Sequence, residues 1–397
     1  MQFLQGKSIL LGISGGIAAY KSCELARLLA KEGAQLHPVL TRAGAELVGP
    51  RTFEALCGRP VLVDRGDGSA SALAHIELAR LVDLIIIAPA TANTLAKIAC
   101  GLADNLLTAI VLASRAPVLL APAMNVQMWA NEITQENIER LHRRERFHFI
   151  GPASGELACG EDGPGRMEEP AIILQAALRL LGPGTLRGKH LLITAGPTRE
   201  PIDAVRVLSN RSSGKMGYAL ARAAVRRGAE VTLISGPTSL EAPWGVDLVR
   251  VETAAQMLEA VEKNLDKANV LIMSAAVADF SVKETHQGKL KKSSGPPALE
   301  LVPTVDILKK VAQKKKKPFL VGFSAEFGDP LAEARRKLRE KNLQLVVGND
   351  ISLSGSGFDS EQNQAVLVDR ETEERLPLLS KSELSEKILD RVEKLLN

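Results

Sequence analysis

Short runs of uninterrupted apolar residues alternate along this chain with stretches whose apolar positions recur at helical spacing. The first run, Ser8 to Ile13, meets a glycine turn at Gly15-Gly16, and a helical pattern follows to Lys31, stopped by Gly33-Ala34. The run Asp83 to Ala88 enters an alanine-rich loop, and Val118 to Ala121 leads into Pro122-Ala123-Met124-Asn125. Strands that are apolar on both faces belong to parallel sheets covered by helices on either side, whereas a sheet with one wet face alternates. The pattern therefore predicts α/β folding with mainly parallel sheets, doubly wound and Rossmann-like.

The plan occurs twice. Gly188-Lys189 echoes Gly6-Lys7, the run His190 to Thr194 leads to a Gly196-Pro197 turn, and a later helix ends at Gly228-Ala229. Asn269 to Met273 matches Asp83 to Ala88. A helix opened by Pro170 ends near Leu181 and is followed by Gly182-Pro183-Gly184-Thr185, a helix stop and a joint. We expect two domains, 1–187 and 188–397, consistent with a chain of 397 residues that is too long for one core. Lys314 to Lys317 reads as a solvated turn before a strand, Phe319 to Phe323.

Composition narrows the function classes. Aromatic residues make up only 3% and the net charge is +4, which argues against a nucleic-acid partner. Cys23, Cys57, Cys100 and Cys159 form no C-x-x-C pair, so neither a zinc site nor a disulfide framework is expected, and free thiols suit a reducing cytoplasm. The N-terminal apolar run is broken by Gly12, Gly15 and Gly16, which predicts a buried strand in place of a signal peptide. Leu84 to Ala90 is too short to span a bilayer, so no membrane role is expected.

In the first half, Ser14-Gly15-Gly16 sits between a strand and a helix, where free N–H groups suit an anion or merely permit tight packing. The loop Pro89-Ala90-Thr91-Ala92-Asn93 also falls at a strand's carboxyl end, the ligand side of an open α/β sheet. His75 is a packed residue or a catalyst, and Asn125 caps a turn or reaches a ligand. Cys159 lies in the glycine- and proline-rich loop Gly155 to Met167, the habit of a mobile segment carrying a reactive group.

Gly15-Gly-Ile-Ala-Ala-Tyr-Lys21, His75, Pro122-Ala-Met-Asn125 and the Ala-Cys-Gly flap ending in Gly165-Arg-Met167 together resemble the flavin-containing cysteine decarboxylases. The resemblance implies FMN held near Ser14, Gly15, Gly16, Thr91 and Asn93, and 4'-phosphopantothenoylcysteine as substrate. It further implies that the thiol is oxidised before carbon dioxide leaves, because direct loss would strand a carbanion. Cys159 would then be the acid of the returning step, His75 the proton-handling residue beside the flavin, and Asn125 the amide that orients the substrate carboxylate.

In the second half, Ser212-Ser213-Gly214-Lys215 at a helix start invites a phosphate-loop reading, but the preceding glycine is missing and Met216 follows the lysine. An anion nest remains. Asp279 follows the buried run and precedes Lys289, Lys291 and Lys292, while Lys337 and Lys341 share a face of the predicted helix Pro330 to Lys341. Thr194 to Asp203, Ser209 to Gly217, Ala275 to Asp279, Lys289 to Lys292 and Val321 to Glu326 resemble the bacterial phosphopantothenate-cysteine ligase domain. Gly288 before Lys289, and Pro303-Thr304-Val305-Asp306-Ile307, depart from that family's usual pattern.

This second resemblance implies CTP as cosubstrate, with Mg2+ screening its charge, and an acyl-cytidylate of 4'-phosphopantothenate that L-cysteine attacks. Lys289 would neutralise developing phosphate charge and Asn210 would hold the acyl-cytidylate. Met273, Ser274, Ala275, Asp279 and Phe323 would form the cytidine pocket, with Lys337 and Lys341 on the triphosphate. The ligands of Mg2+ stay unknown. In this order the halves resemble the bacterial bifunctional enzymes of coenzyme A biosynthesis, which implies a homo-oligomer of decarboxylase trimers and ligase dimers, up to a dodecamer. Two rival classes remain: a flavin-binding regulator without catalysis, and a dinucleotide-dependent reductase, which the absent G-x-G-x-x-G disfavours.

Overall fold

The computed structural model describes residues 1–64, 74–158, 160–291, 298–352 and 360–396. The first unit, Met1–Gly182, is built on six strands: β1 Ser8–Ile13, β2 Gln35–Leu40, β3 Leu62–Val63, β4 Leu84–Ala90, β5 Val118–Pro122 and β6 Phe147–Phe149. They lie parallel in the order β3-β2-β1-β4-β5-β6. Every residue of β1 and β4 is buried, as uninterrupted apolar runs require. Between these two strands the winding reverses direction, which opens a crevice at their carboxyl ends.

Three local readings of this unit change. A single 3-10 turn, Ile17–Tyr20, separates Gly16 from the helix Lys21–Lys31, so the glycines do not open that helix directly. Pro89 and Ala90 belong to β4, and Thr91 caps the helix Ala92–Cys100, so the expected loop is a strand end and a helix start. The segment Gly155 to Met167, read as a loop, contains most of an antiparallel hairpin, β7 Ala153–Glu156 against β8 Asp162–Arg166. Its glycines make this possible: Gly155, Gly163 and Gly165 have φ of 141°, 153° and 150°, open to residues without a Cβ.

The second unit, Pro183–Asn397, begins slightly before the expected boundary of residue 187. Leu186 is 1% exposed within that unit's core, and its N–H donates to the Arg227 carbonyl at 2.9 Å, which ties this stretch to the second sheet and its helices. The strands are β9 His190–Ala195, β10 Arg199–Pro201, β11 Val207–Ser209, β12 Glu230–Ser235, β13 Val246–Arg250, β14 Val270–Met273, β15 Phe280–Val282, β16 Leu301–Pro303, β17 Phe319–Glu326, β18 Leu345–Asp350, β19 Gln362–Asn363, β20 Ala365–Val368, β21 Glu373–Arg375 and β22 Leu379–Ser380. The main sheet runs β13-β12-β9-β14-β17-β18-β20-β21, parallel through β18 and antiparallel at the β20-β21 edge. The other strands pair in small ribbons, β10 with β11, β15 with β16 and β19 with β22.

Helices cover both faces of that sheet. Lys215–Arg226 and Lys381–Leu396 pack with Leu191, Ile193 and Val321 on one side. Ala254–Asn264, Ile307–Ala312 and Leu331–Glu340 pack with Leu192, Leu271 and Leu320 on the other. Both units are therefore doubly wound α/β folds. Among the described residues, no helix is long and apolar enough to cross a membrane.

Candidate active sites in the two units

In the first unit a cavity of about 1140 Å³ opens at the carboxyl ends of β1 and β4, lined by Gly15, Gly16, Thr91 and Asn93 among others. Gly15 is sterically required and Gly16 is tightly packed. A Cβ on Gly15 would stand 2.4 Å from the Ala43 Cβ, and one on Gly16 would stand 3.3 Å from Pro89 and Thr91. Ser14 behaves differently from the expectation, since it is 1% exposed and does not line the cavity. Its Oγ donates to the Pro89 carbonyl at 2.7 Å and accepts from the Thr91 N–H at 3.2 Å. Ser14 thus braces the two strand ends against each other, while Thr91 Oγ1 accepts from the Thr94 N–H to cap its helix.

Asn125 follows β5 and caps the helix Val126–Ala130, its Oδ1 accepting from the Gln127 N–H at 2.7 Å. The side chain lines the same cavity, and its Nδ2 donates to Glu161 Oε2 at 2.6 Å. His75 stands in the first turn of the helix Ala74–Leu81, half-buried, and is not part of the cavity wall. Cys159 lies outside the described residues; its neighbours Leu157 and Ala158 line the cavity.

Sequence reasoning left Lys21, Arg166 and Glu169 without roles, yet all three line this cavity. The Glu169 carboxylate takes Lys21 Nζ at 2.9 Å and also the Arg166 guanidinium, and these two cations, Lys21 first, hold its carboxyl below the usual range. Lys21 and Arg166 both sit in the decarboxylase-like motifs, but nothing in their spacing announces a shared carboxylate partner. Elsewhere in the unit, burial pushes the Cys57 thiol up to about 11 and raises that of Cys23, so neither is poised as a nucleophile.

A second cavity, of about 740 Å³, lies at the carboxyl ends of β14 and β17 in the second unit. Its wall combines Asn210, Met273, Ser274, Ala275, Asp279, Phe323, Lys337 and Lys341, drawn from both sides of the sheet's switch. The loop after β14 is stitched to β9. Ser274 Oγ donates to the Thr194 carbonyl at 2.6 Å, the Ala275 N–H donates to Thr194 Oγ1 at 3.2 Å, and the Ala278 N–H donates to Thr198 Oγ1 at 2.9 Å. Asn210 Nδ2 donates to the Val277 carbonyl at 2.9 Å and joins the Ser209–Gly217 segment to this loop.

The two lysines of the helix Leu331–Glu340 and its end do face one site. Lys337 donates its ammonium to the Phe323 carbonyl, and burial together with the nearby charge of Lys341 pushes its pKa down. Lys341 pairs with Asp306 at 2.6 Å. Lys289 is exposed and does not line the cavity, although the next residue is anchored: the Leu290 N–H donates to Asp203 Oδ2 at 3.2 Å. Lys292 lies outside the described residues. Ser324 was not anticipated; it lines the cavity with a buried Oγ that has no hydrogen-bond partner among the described residues. Among those residues no group of three or more His, Cys, Asp or Glu is arranged to hold a metal ion.

Residues 2–182 match the family described as Flavoprotein, and residues 186–396 match the DNA/pantothenate metabolism flavoprotein C-terminal domain. Along its whole length the chain is 48% identical over 400 residues to the coenzyme A biosynthesis bifunctional protein CoaBC of Vibrio vulnificus (strain YJ016), covering 100% of both. The chain belongs to the CoaBC family. The corresponding protein of Bacillus subtilis (strain 168) is 46% identical over 395 residues, 98% of this chain and 97% of that one. A solved C-terminal domain of a CoaBC protein is 44% identical, with a TM-score of 0.47, and covers 54% of this chain and 98% of that chain. As a CoaBC-family member the chain is a bifunctional enzyme of coenzyme A biosynthesis, a flavoprotein with decarboxylase and ligase activities acting on pantothenate-derived substrates.

Proposed function

We propose that the second unit joins 4'-phosphopantothenate to L-cysteine at the expense of CTP, and that the first unit decarboxylates the product with FMN. The reading is supported by one observation: Gly15, Gly16, Thr91, Asn93 and Asn125 line one cavity and Asn210, Asp279, Phe323, Lys337 and Lys341 line another, each at the carboxyl ends of the central strands of its own sheet.

The stretch Gly15-Gly16, which lines the cavity beside Thr91 and Asn93 at a strand's carboxyl end, suits a cofactor with a phosphate. FMN supplies a reversible two-electron exchange with the substrate's thiol carbon. Asn125 then orients the cysteinyl carboxylate through its NH2 group, its amide oxygen being held by the Gln127 N–H. His75 handles the thiol proton and Cys159 returns a proton to the carbon left after carbon dioxide departs.

In the ligase unit a carboxylate must first gain a leaving group. Lys337 and Lys341 take the triphosphate, with Mg2+ carried on its oxygens, and Met273 to Ala275, Asp279 and Phe323 surround the cytidine. Lys289 neutralises charge on the departing pyrophosphate, and Asn210 holds the acyl-cytidylate while the cysteine amine attacks. Subunits assemble through decarboxylase trimers and ligase dimers, up to a dodecamer, in the cytoplasm. The test is to supply 4'-phosphopantothenate, cysteine, CTP and Mg2+ to flavin-loaded protein and to follow 4'-phosphopantetheine by mass spectrometry. Absence of both the ligated intermediate and the final product would refute the reading.

A further inference from the structure

We propose that the Ser324 hydroxyl is a binding group of the second cavity, donating to a phosphate oxygen of the nucleotide that Lys337 and Lys341 hold. This rests on the nucleotide reading above and adds to it a residue so far without a role.

Strand alternation decides where Ser324 points. Along β17, Leu320, Gly322 and Ser324 share one face, because successive side chains on a strand point to opposite sides. Leu320 packs in the core with Ala334 and Leu338 of the helix Leu331–Glu340. A Cβ on Gly322 would stand 2.7 Å from Leu343 Cδ1 and 3.1 Å from Leu308 Cδ2, with Lys337 Cε at 3.9 Å. Gly348 faces Ser324 across the parallel ladder with β18, and a Cβ there would meet Pro330 and Ala334 of the same helical segment. Ser324 is therefore the first polar side chain on that face beyond the apolar packing. It comes at the carboxyl end of the strand, where it lines the cavity.

Its surroundings fix the chemistry. Ser324 is 7% exposed, and its Oγ is buried with no hydrogen-bond partner among the described residues. A hydroxyl taken out of water without a partner costs free energy, so one that lines a cavity is matched to a partner the cavity receives. Lys337 lays its ammonium on the Phe323 carbonyl, whose carbon is bonded to the Ser324 nitrogen, so a cation stands beside this residue. The nearby carboxylates are taken: Glu333 and Glu340 both pair with Arg336, and Asp306 pairs with Lys341. An anion drawn in by two lysines offers only acceptor oxygens, and a hydroxyl can rotate its O–H toward one of them. The hydroxyl is fixed to the sheet, so it adds position to the charge that the flexible lysines supply.

Stability and binding then respond to its removal in opposite directions. Ser324→Ala takes an unpaired polar group out of the ligand-free protein, which leaves stability unchanged or raised, while the nucleotide complex loses a charge-assisted hydrogen bond. A hydroxyl that merely supported the fold would lower both.

The experiment uses FMN-loaded, full-length protein with Mg2+ and compares the parent, Ser324→Ala and Ser324→Cys. The cysteine fills the serine's volume with a weak donor. Dissociation constants for CTP are measured by calorimetry, those for cytidine and inorganic triphosphate by competition against CTP, and melting temperatures without nucleotide by differential scanning. We expect both variants to bind CTP and inorganic triphosphate at least about tenfold more weakly, equivalent to about 1.4 kcal/mol, with cytidine affinity within about twofold of the parent's. The melting temperature of Ser324→Ala should equal or exceed the parent's. Parent-like CTP binding by Ser324→Ala would overturn the proposal, as would a loss confined to cytidine, or a lowered melting temperature with all three ligands weakened. Parent-like binding by Ser324→Cys alone would make the side chain a filler of space, which overturns it too. If CTP does not bind the parent, the nucleotide reading itself fails.

Discussion

Lys341 Nζ lies 2.6 Å from Asp306 Oδ2 in the second unit's cavity, while Asp306 Oδ1 accepts from the Lys309 N–H at 3.0 Å and so caps the helix Ile307–Ala312. One carboxylate serves a helix end and a cation. Burial pushes this carboxyl up, but Lys341 and the Lys309 N–H outweigh it and hold it below its ordinary range. If Lys341 binds triphosphate, Asp306 both positions it and repels the ligand.

Asp306→Asn keeps the cap and removes the charge, because an asparagine caps as well as an aspartate. The expected result is a KM for CTP lowered by about two- to fivefold, with melting changed by less than about 1 kcal/mol in stability. Lys341→Ala should move the KM the other way. Steady-state pyrophosphate release at varied CTP checks both, and equal KM values for all three proteins would remove Lys341 from the triphosphate site.

Ser14→Ala should loosen the first unit's cavity. It leaves the buried Pro89 carbonyl without the hydroxyl that now donates at 2.7 Å, and it frees the Thr91 N–H. A lost partner for a buried polar group costs about 1–3 kcal/mol. Titration of flavin into the stripped protein should show weaker FMN binding by about fivefold or more, with ligation unaffected. Unchanged FMN affinity would show that the strand ends hold their spacing without the brace.

How far this site could be read from sequence depends on how local its determinants are. β1, β4, β9 and β14 were legible because a strand buried on both faces must be written as an unbroken apolar run. The brace of Ser14 was not, since its partners lie 75 and 77 residues away and no periodicity links them. The hairpin over Asn125 was hidden for another reason: a sequence such as Asp162-Gly163-Pro164-Gly165-Arg166 has the composition of a loop, and only its glycine φ values let it pair. In the ligase unit, the clustering of Lys337 and Lys341 followed from helical spacing, whereas their acceptors, the Phe323 carbonyl and Asp306, come from other elements.

Gly217→Ala separates close packing from helix propensity. Alanine favours a helix interior by about 1 kcal/mol over glycine. At this position, however, its Cβ would stand 2.5 Å from the Ala195 Cβ, 2.8 Å from Ser274 Oγ and 3.0 Å from the Thr194 carbonyl oxygen. Two of those atoms are fixed in β9, so the helix Lys215–Arg226 must move, at a cost of about 1–3 kcal/mol or more, which outweighs the propensity gain. Expected are a lower unfolding midpoint for the second unit and loss of ligation, with a flavin spectrum like the parent's. A more stable variant would mean that the helix shifts freely on the sheet.

Asp203 offers the sharpest test of how the Lys289 segment is held. Its Oδ1 accepts from the N–H groups of Val205 and Arg206, each at 2.7 Å, and its Oδ2 accepts from the Leu290 N–H at 3.2 Å while pairing with the Arg206 guanidinium. Arg206 also donates to the Leu290 carbonyl at 3.3 Å, so the residue after Lys289 is gripped from both sides. Burial pushes the Asp203 carboxyl up, but these donors pull it down further, to about 2. A carboxyl whose folded pKa lies below its unfolded value of about 3.9 stabilises the fold fully above that value. The contribution is lost as pH falls from about 4 to about 2. Asp203→Asn replaces one acceptor by an NH2 group facing other donors, which breaks the grip on Leu290 at every pH. The variant should therefore lose at least about tenfold in ligation kcat while decarboxylating normally, a loss of about 1.4 kcal/mol in transition-state stabilisation. In a Trp129→Phe background, Trp244 fluorescence reports unfolding of the second unit alone. Denaturant midpoints followed this way should fall less steeply between pH 4 and pH 2 in the variant than in the parent, because the group that titrates there is gone. Parallel acid profiles, with ligation intact, would show that Asp203 is bystander to both the fold and the reaction.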